Sequence, residues 1–395
     1  MPERESLVSA RLGLAFATML LVSGIGNTFP VFFPPLLAEF GGSRAATAFT
    51  VSLIWIGGAV IGPLAGALVD RRDPRIIVGA GIFATALGLA GGAVAPTLPV
   101  FIACVGVGAG IGVGLTGMVT QAAIIADAYT RRRGFATGIA FAGSMAGYVL
   151  AAPAQLAIER VGWRGTLGLY VALLLALIPC ALLVYPSRLR ARAAGDPGVR
   201  ALGALASSRP FWSLAVVFSV APLVGYLATT QHALYFTSHG FPAAEAAAML
   251  VIGGVLSTSG RALAGLAADR LGAPTVGVVS YTMTLLGTLC LGAFELHPAR
   301  WLAYGYVLFV FLPLGTRATV VAMLVPRLAP PSQFGAVFGA LAIGNSLGAA
   351  LGPFLSGAIY DVTESYLAIY AVAVLLVAAG LCALLSFLAR TRAAG

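Results

Sequence analysis

Twelve apolar runs, each close to twenty residues long, follow one another along this chain of 395 residues. A helix of about twenty apolar residues crosses the ~30 Å hydrocarbon core of a bilayer. Hydrophobic residues make up 59% of the chain and charged residues only 9%, whereas roughly a quarter of a soluble globular protein is charged. The sequence therefore predicts an all-α, multi-pass membrane protein with twelve transmembrane helices.

These predicted spans are numbered in chain order. The first begins near Leu12, is too long for a signal-peptide core and has no small-residue cleavage site after it, so we expect it to be retained. The twelve spans are residues 12–36, 46–69, 75–95, 98–125, 135–157, 165–185, 211–236, 245–268, 274–294, 301–325, 335–358 and 366–389.

The charges lie mostly at the ends of the spans. All 23 basic residues are arginines, and the acidic residues lie at or near span ends. With the N-terminus in the cytoplasm, most arginines fall on the cytoplasmic side, and only Arg44, Arg160, Arg164 and Arg300 fall outside. The net charge of +10 is therefore explained by the excess of arginines in cytoplasmic loops and does not indicate a nucleic-acid partner. We expect a cell (inner) membrane protein with both termini cytoplasmic.

The two halves of the chain repeat each other. The polar interruption 187–210 acts as a cytoplasmic linker between an N-terminal bundle of six spans, 1–186, and a C-terminal bundle, 211–395. The turn after span 2 recurs after span 8: Gly66, Asp70 and Arg71 match Gly265, Asp269 and Arg270. Four glycines of span 5 recur on span 11: Gly134, Gly138, Gly143 and Gly147 match Gly335, Gly339, Gly344 and Gly348. Small residues at this spacing predict that spans 5 and 11 pack closely on neighbouring helices.

The turn after span 2 resembles the signature cytoplasmic loop of the major facilitator superfamily. It reads Gly66-x-Leu68-x-Asp70-Arg71-x-x-x-Arg75. Asp73 stands where that loop usually has a glycine. The resemblance implies two pseudo-symmetric six-helix halves, because such transporters are built from internal repeats. A carboxylate at a helix end can hold arginines in one conformation, and breaking that contact would let the two halves separate on the cytoplasmic side. The residues expected to take part in this gating are Gly66, Asp70, Arg71, Arg75, Asp269 and Arg270.

A narrower resemblance lies in spans 5, 6 and 8. The stretch 129–147, YTRRRGFATGIAFAGSMAG, and the tetrapeptide GWRG at 162–165 are similar to the monocarboxylate transporter family. Arg261 on span 8 matches an arginine that this family and the related oxalate–formate exchangers share. The resemblance implies that Arg261 grips the carboxylate of a substrate.

Three positions depart from that family. Ser257 stands where mammalian members have an aspartate one turn before the arginine, and Val31 stands near the place of their span 1 lysine. The asparagine of span 4 is also lost, with Thr116 and Gly117 in its neighbourhood. A proton-coupling scheme built on that aspartate and lysine therefore does not transfer to this chain.

Arg261 and Arg317 are the two arginines inside predicted spans. An arginine at the centre of a transmembrane helix costs roughly 2.5–3.5 kcal/mol on insertion scales. No carboxylate occupies a span interior to offset these charges. An anionic substrate in a water-filled cavity is the natural partner, because a guanidinium matches a carboxylate bidentately. A structural interaction at a helix end for Arg261 and snorkelling for Arg317 are the alternatives.

Other polar residues within spans are candidate ligands. Gln231 and His232 lie on span 7, where the histidine could exchange a proton or hydrogen-bond a substrate. Asn27 on span 1, Thr116 on span 4 and Asn345 on span 11 complete the candidate set. The alternative for His232 is a satisfied interfacial histidine near the outer end of the span, and the alternative for Asn345 is packing.

The sequence predicts a transporter and not an enzyme, since it has no lysine-bearing phosphate loop and no metal-ligand cluster. We expect a secondary active transporter of small mono- or dicarboxylates, working by alternating access with proton symport or anion exchange. An exporter of amphipathic or drug-like compounds and a non-transporting receptor or scaffold are the alternatives. No cofactor is expected; the expected partners are a carboxylate, a co-transported proton or exchanged anion, and the lipid bilayer around a monomer.

Overall fold

The computed structural model describes residues 2–69, 71–129, 133–189, 208–328 and 333–392. Helices joined by short turns account for these residues, and no strand occurs among them. The chain divides into two compact units. The first unit is Met1–Ala193 with His232–Val251, and the second is Ala194–Gln231 with Ile252–Gly395. The predicted division at 187–210 stays a prediction, and most of that linker lies outside the described residues.

The first part of the chain forms helices that begin or end mostly at glycines, prolines and short polar turns. They are α1 (Pro2–Thr18), α2 (Gly24–Phe40), α3 (Arg44–Val69), α4 (Pro74–Ala93), α5 (Leu98–Phe101), α6 (Gly108–Thr116), α7 (Met118–Ala128), α8 (Arg133–Ala146) and α9 (Ala151–Val184). Short π segments at Met19–Ser23 and Ile102–Val107 and a 3₁₀ turn at Gly147–Leu150 join some of them end to end.

The remaining helices follow after the linker. They are α10 (Arg209–Thr229), α11 (His232–Ser238), α12 (Ala243–Leu271), α13 (Ala273–Leu296), α14 (Arg300–Tyr306), α15 (Leu312–Leu314), α16 (Arg317–Leu324), α17 (Phe334–Thr363) and α18 (Tyr366–Arg392). A π segment at Val307–Phe311 joins α14 to α15. In the second unit α10 packs against α17 and α18, and α13 packs against α18.

Eleven helical runs in the described part of the chain are long and apolar enough to cross a membrane. The fifth and sixth predicted spans lie in one run, Ala136–Val184, of 49 residues. The residues between the two predicted spans, 158–164, belong to α9 in this run. Gly162 interrupts that helix, with φ 72° and ψ 168°. Glycine adopts this backbone conformation readily because it has no Cβ.

Glycines bring helix backbones into contact in the first unit. A Cβ on Gly147 would collide with the backbone of Gly24 on α2, so no larger residue fits there. At the same seam the Asn27 side-chain amide donates a 2.7 Å hydrogen bond to the Ser144 carbonyl of α8. The glycine ladder of span 5 thus packs against span 1, as the sequence predicts.

The second unit repeats this arrangement with its own helices. Cβ atoms on Gly344 and Gly348 of α17 would collide with Ser219 of α10. The Asn345 amide donates a 3.3 Å hydrogen bond across the seam to the Phe218 carbonyl. The repeated glycines therefore mark equivalent contacts: span 5 on span 1, and span 11 on span 7.

A single guanidinium joins three segments at one end of the first unit. Arg164 donates to the Glu39 carboxylate at 2.6 Å and to the backbone carbonyls of Ala93 and Ala95 at 2.7 and 3.0 Å. The Trp163 indole donates to the other Glu39 oxygen at 2.6 Å, and the Arg164 guanidinium lies 4.4 Å from the centre of the Trp163 ring. The GWRG tetrapeptide therefore ties α9 to the ends of α2 and α4.

The seam between α10 and α17 leads to a stability prediction. Replacing Gly348 with alanine is expected to lower the free energy of unfolding by about 1–3 kcal/mol, because the new methyl group would overpack the contact with Ser219. Thermal unfolding of the purified protein in detergent measures the change.

Gly339 provides the matched control on the same helix. A Cβ there meets nothing within 4 Å, so Gly339→Ala is expected to leave the unfolding temperature unchanged or raise it, since alanine favours helix by about 1 kcal/mol. Equal destabilisation by both variants would show that helix propensity, and not the seam, sets the effect.

Candidate anion site

Arg261 lies where α12 packs most closely on the helical run Arg300–Arg327. A Cβ on Gly260 would collide with the Leu312 carbonyl, and a Cβ on Gly315 would collide with the Ser257 carbonyl. Two helices meet at backbone distance only where such small residues face each other. The sequence therefore brings the side chain of Arg261 to the edge of a glycine-lined contact.

The Arg261 guanidinium is half-buried at this edge. Its Nε donates a 3.3 Å hydrogen bond to the Gly315 carbonyl. Gly315 and Thr316 form a turn between α15 and α16, which interrupts the apolar helical run. A backbone carbonyl at such a break is costly in a bilayer unless it is hydrogen-bonded. Arg261 satisfies this carbonyl and is held in place by it.

The same kind of break occurs in the first unit. The helical run Leu98–Ala128 contains a π segment, Ile102–Val107, and then an interruption at Gly117, with φ −70° and ψ −165°. The run that holds Arg317 has its π segment at Val307–Phe311 and then its turn at Gly315–Thr316, 198 and 199 positions after Gly117. Spans 4 and 10 thus share their irregularities, as two copies of one repeat would.

Arg317 is buried beside this break, with 4% of its surface exposed. Its Nη2 donates to the Thr284 hydroxyl and, at 3.3 Å, to the Ser280 carbonyl of α13. The guanidinium lies 4.6 Å from the centre of the Tyr281 ring, a cation–π distance. Thr316 adds a hydroxyl contact of 2.9 Å to Ser280.

These contacts change what the sequence alone indicates for Arg317. Ser280 and Thr284 accept from Nη2, and the Tyr281 ring lies against the guanidinium. Nε of Arg317 is buried with no hydrogen-bond partner among the described residues. An anion is therefore not needed to explain most of its burial. Its assignment as a second substrate ligand stays a prediction.

Gln231 and His232 lie at a break in the seventh apolar run, between α10 and α11. The Gln231 amide donates to the carbonyl and hydroxyl of Ser356, both at 3.0 Å. In the first unit, Nε2 of His232 lies 3.0 Å from the Ala246 carbonyl and its ring packs 4.7 Å from Phe236. Both side chains are buried and tie helices together, so their role as ligands stays a prediction.

Thr116 ends α6 immediately before Gly117. Its hydroxyl donates to the Gly112 carbonyl at 2.8 Å, and its own carbonyl accepts from the Gln121 amide at 3.1 Å. The Tyr185 hydroxyl donates in turn to Gln121 at 3.2 Å. Thr116, like Asn27 and Asn345, therefore has a packing partner in the structure, and ligand roles for the three residues stay predictions.

The turn after span 2 is only partly described. Asp70 lies outside the described residues, whereas Arg71 is exposed and Gly66 packs beside Val119. Arg75 donates to Asp73 at 3.3 Å and to the Leu182 carbonyl at 3.3 Å.

Asp73, the departure from the usual loop, has a structural role of its own. Its carboxylate accepts from the Arg75 backbone N–H at 2.9 Å and so caps α4. In the second copy of the turn, Asp269 and Arg270 are exposed at the end of α12. The gating role of these residues stays a prediction.

Several polar side chains near the two arginines of the second unit were not among the candidate ligands predicted from the sequence. Ser280, Thr284 and Thr288 are spaced four apart on α13, and this spacing in an apolar run signals a polar stripe on one helix face. Thr258 precedes Arg261 by one turn and has a buried hydroxyl. Within the described part of the chain, no group of three or more His, Cys, Asp or Glu side chains is placed to hold a metal ion.

Comparison with known proteins identifies the family. The sequence model of the Major Facilitator Superfamily matches residues 14–324 and 260–395. The chain belongs to the major facilitator superfamily. The resemblance found in the turn after span 2 and in span 5 is thereby confirmed.

Relatives of this major facilitator protein include named transporters. It is 29% identical to monocarboxylate transporter 13 of Bos taurus, with 91% of this chain and 84% of the relative covered. It is 30% identical to monocarboxylate transporter 11 of Mus musculus, with 91% and 82% covered. A bacterial relative, the uncharacterized MFS-type transporter YcxA of Bacillus subtilis, is 23% identical over 92% of this chain and 90% of its own. The chain is thus a multi-pass membrane transporter, of a class distinct from enzymes.

The contacts of Arg317 lead to a second stability prediction. Replacing Thr284 with valine is expected to lower the free energy of unfolding by about 1–3 kcal/mol, because the buried guanidinium loses a hydrogen-bond acceptor. Thermal unfolding in detergent, without added anion, reports this change.

Thr288→Val is the control, one turn further along α13. The Thr288 hydroxyl donates to two carbonyls of its own helix, at 3.1 and 2.9 Å, so its loss should change stability by less than about 1 kcal/mol. If Thr284→Val were as mild as Thr288→Val, Arg317 would not depend on the Thr284 contact.

Proposed function

We propose that this protein is a secondary active transporter of small organic anions, with mono- and dicarboxylates as the substrate class. The observation that carries the proposal is the placement of Arg261: a half-buried guanidinium inside an apolar helix, held by Nε on the Gly315 carbonyl. That bond orients the planar guanidinium, and the paired N–H groups of an oriented guanidinium can bind both oxygens of a carboxylate. The mammalian relatives are named monocarboxylate transporters, which supports the monocarboxylates within this class.

The energetics favour an anion at this position. A charge inside a membrane protein is costly unless it is paired or hydrated. The Gly315 carbonyl offers a dipole and no full negative charge, so a carboxylate that replaced water around Arg261 would gain a charge-assisted contact. Arg261 is therefore proposed as the principal substrate ligand.

A twelve-span layout follows if the longest helical run crosses the membrane twice. Its 49 residues would extend ~74 Å at 1.5 Å per residue, more than twice the hydrocarbon thickness. Gly162, with its positive φ, is the point at which the chain would turn. We propose two six-helix halves on this basis, supported by the matching glycine seams and the matching breaks of spans 4 and 10.

The proposed setting is the cell (inner) membrane, with both termini in the cytoplasm and a monomer as the working unit. The arginine distribution supports this orientation, because positive charge is retained on the cytoplasmic side. We propose that the halves alternate in access around the anion, and that the turns with Asp70–Arg71 and Asp269–Arg270 hold their cytoplasmic ends.

The coupling ion is proposed to be either a proton moving with the anion or a second anion moving in exchange. Ser257, in place of the family's aspartate, is buried and donates to the Gly254 carbonyl at 3.1 Å. Val31, near the place of the family's lysine, is buried as well. A proton would therefore travel on the substrate or through His232, whereas exchange needs neither route.

Transport by purified protein in liposomes tests the proposal. Uptake of labelled acetate, lactate, oxalate or succinate is expected for the wild type, and Arg261→Gln is expected to reduce it at least tenfold, because the charge that attracts the anion is gone. Arg261→Lys should also be impaired, since an ammonium lacks the bidentate fork.

Arg300→Gln serves as the control, because it removes an exposed arginine outside the predicted spans. It is expected to transport like the wild type. An exporter of amphipathic compounds would instead keep its transport in Arg261→Gln, and a receptor or scaffold would bind a ligand without any flux. Absence of uptake and exchange for all four acids would refute the carboxylate proposal.

A further inference from the structure

Thr258 lies one helical turn before Arg261 on α12. Residues three apart on a helix are neighbours, with Cβ atoms about 5–6 Å apart. The Thr258 hydroxyl oxygen is shielded from solvent and has no hydrogen-bond partner among the described residues. Such a group is costly, since an unsatisfied buried hydroxyl forgoes the bond it would make in water.

Most hydroxyls in the apolar helices of this protein are satisfied by their own helix. Thr116 and Thr230 donate to carbonyls four residues back, at 2.8 and 2.6 Å. Ser257, the residue immediately before Thr258, donates to the Gly254 carbonyl at 3.1 Å. Thr258 makes no such bond, although it lies in the same helix, so its hydroxyl remains available beside the arginine.

Helix geometry places the Arg261 side chain on the same face as this hydroxyl. Side chains on a helix lean toward the N-terminus and cover the preceding turn, here the turn of Ser257 and Thr258. The position of Gly315 agrees with this direction, because its Cβ would meet both the Ser257 carbonyl and, at 3.4 Å, Cβ of Arg261. A guanidinium bonded to the Gly315 carbonyl is thus held over the turn that contains Thr258.

We propose that Thr258 is a second ligand of the transported anion, donating its hydroxyl hydrogen to the carboxylate that Arg261 binds. This inference rests on the proposed function of Arg261. A carboxylate has two oxygens with about four lone-pair sites, so it can accept from the guanidinium and from a neighbouring hydroxyl together. The pair forms a recognition site for the carboxylate group within the second unit.

The proposal predicts opposite effects of one substitution on stability and on binding. Thr258→Val keeps the shape of the side chain and removes the unsatisfied hydroxyl, so the protein without anion should unfold at the same temperature or higher. The same variant should bind the anion about tenfold more weakly, because it lacks one charge-assisted hydrogen bond. A hydroxyl that served only the fold would lower stability and leave binding unchanged.

The experiment compares purified full-length variants in detergent. Thermal unfolding is recorded without anion and in a titration with acetate, lactate, oxalate and succinate, since a ligand stabilises the folded state by RT ln(1 + [L]/Kd). Thr258→Ser should restore binding to within about threefold of the wild type, because it keeps the hydroxyl. Ser257→Ala is the control, and it should bind like the wild type because the Ser257 hydroxyl already donates to the Gly254 carbonyl.

The outcomes separate this inference from the proposed function. Weaker anion binding in Thr258→Val, with restored binding in Thr258→Ser and unchanged stability without anion, supports the inference. Wild-type affinity in Thr258→Val, while Arg261→Gln binds no acid, would overturn the role of Thr258 and leave that of Arg261 intact. If the wild type binds none of the four acids, the carboxylate function and the role of Thr258 both fall.

Discussion

The structure depends on one constraint: every backbone carbonyl within a bilayer needs a hydrogen-bond donor from the protein itself. Glycines let helices approach until a side chain of one helix reaches the backbone of the next. Asn27 and Asn345 use this proximity in the two units, donating to carbonyls of a neighbouring helix. Arg261 likewise donates to a carbonyl of a neighbouring helical run, that of Gly315. The candidate anion site is therefore built on the same kind of side-chain-to-backbone contact as the glycine seams.

The sequence predicts the large features because hydrophobic length and small-residue spacing are local properties. The spans and the glycine seams of α8 and α17 follow from such patterns, and the family follows from the motif beginning at Gly66. The partners of a buried side chain depend on residues far along the chain. Arg317 shows the difference: its burial by Ser280, Tyr281 and Thr284 of α13 is set by helix packing that no local pattern reports. The unsatisfied hydroxyl of Thr258 has the same origin.

The two copies of the repeat have diverged in charge more than in backbone. Arg261 lies 199 positions after Gly62, the same offset that relates Gly66 to Gly265. Nothing lies within 4 Å of the place where a Cβ on Gly62 would sit. Arg261 and Arg317, the two arginines inside predicted spans, therefore both belong to the second copy, and the first copy has glycine at the position of Arg261. The helix break of span 4 recurs in span 10, but among the described residues a buried arginine lies beside only the second of these breaks.

The grouping of residues 232–251 with the first unit bears on how the protein is made. Neither unit is one continuous stretch of chain, and the first includes α11 and the beginning of α12. A ribosome that has finished residue 193 has therefore not yet made all of the first unit, although domains generally fold as units during synthesis. The first unit can reach its final packing only when translation has passed residue 251, and by then the whole of α10 has been translated. The order of synthesis thus couples the maturation of the two units.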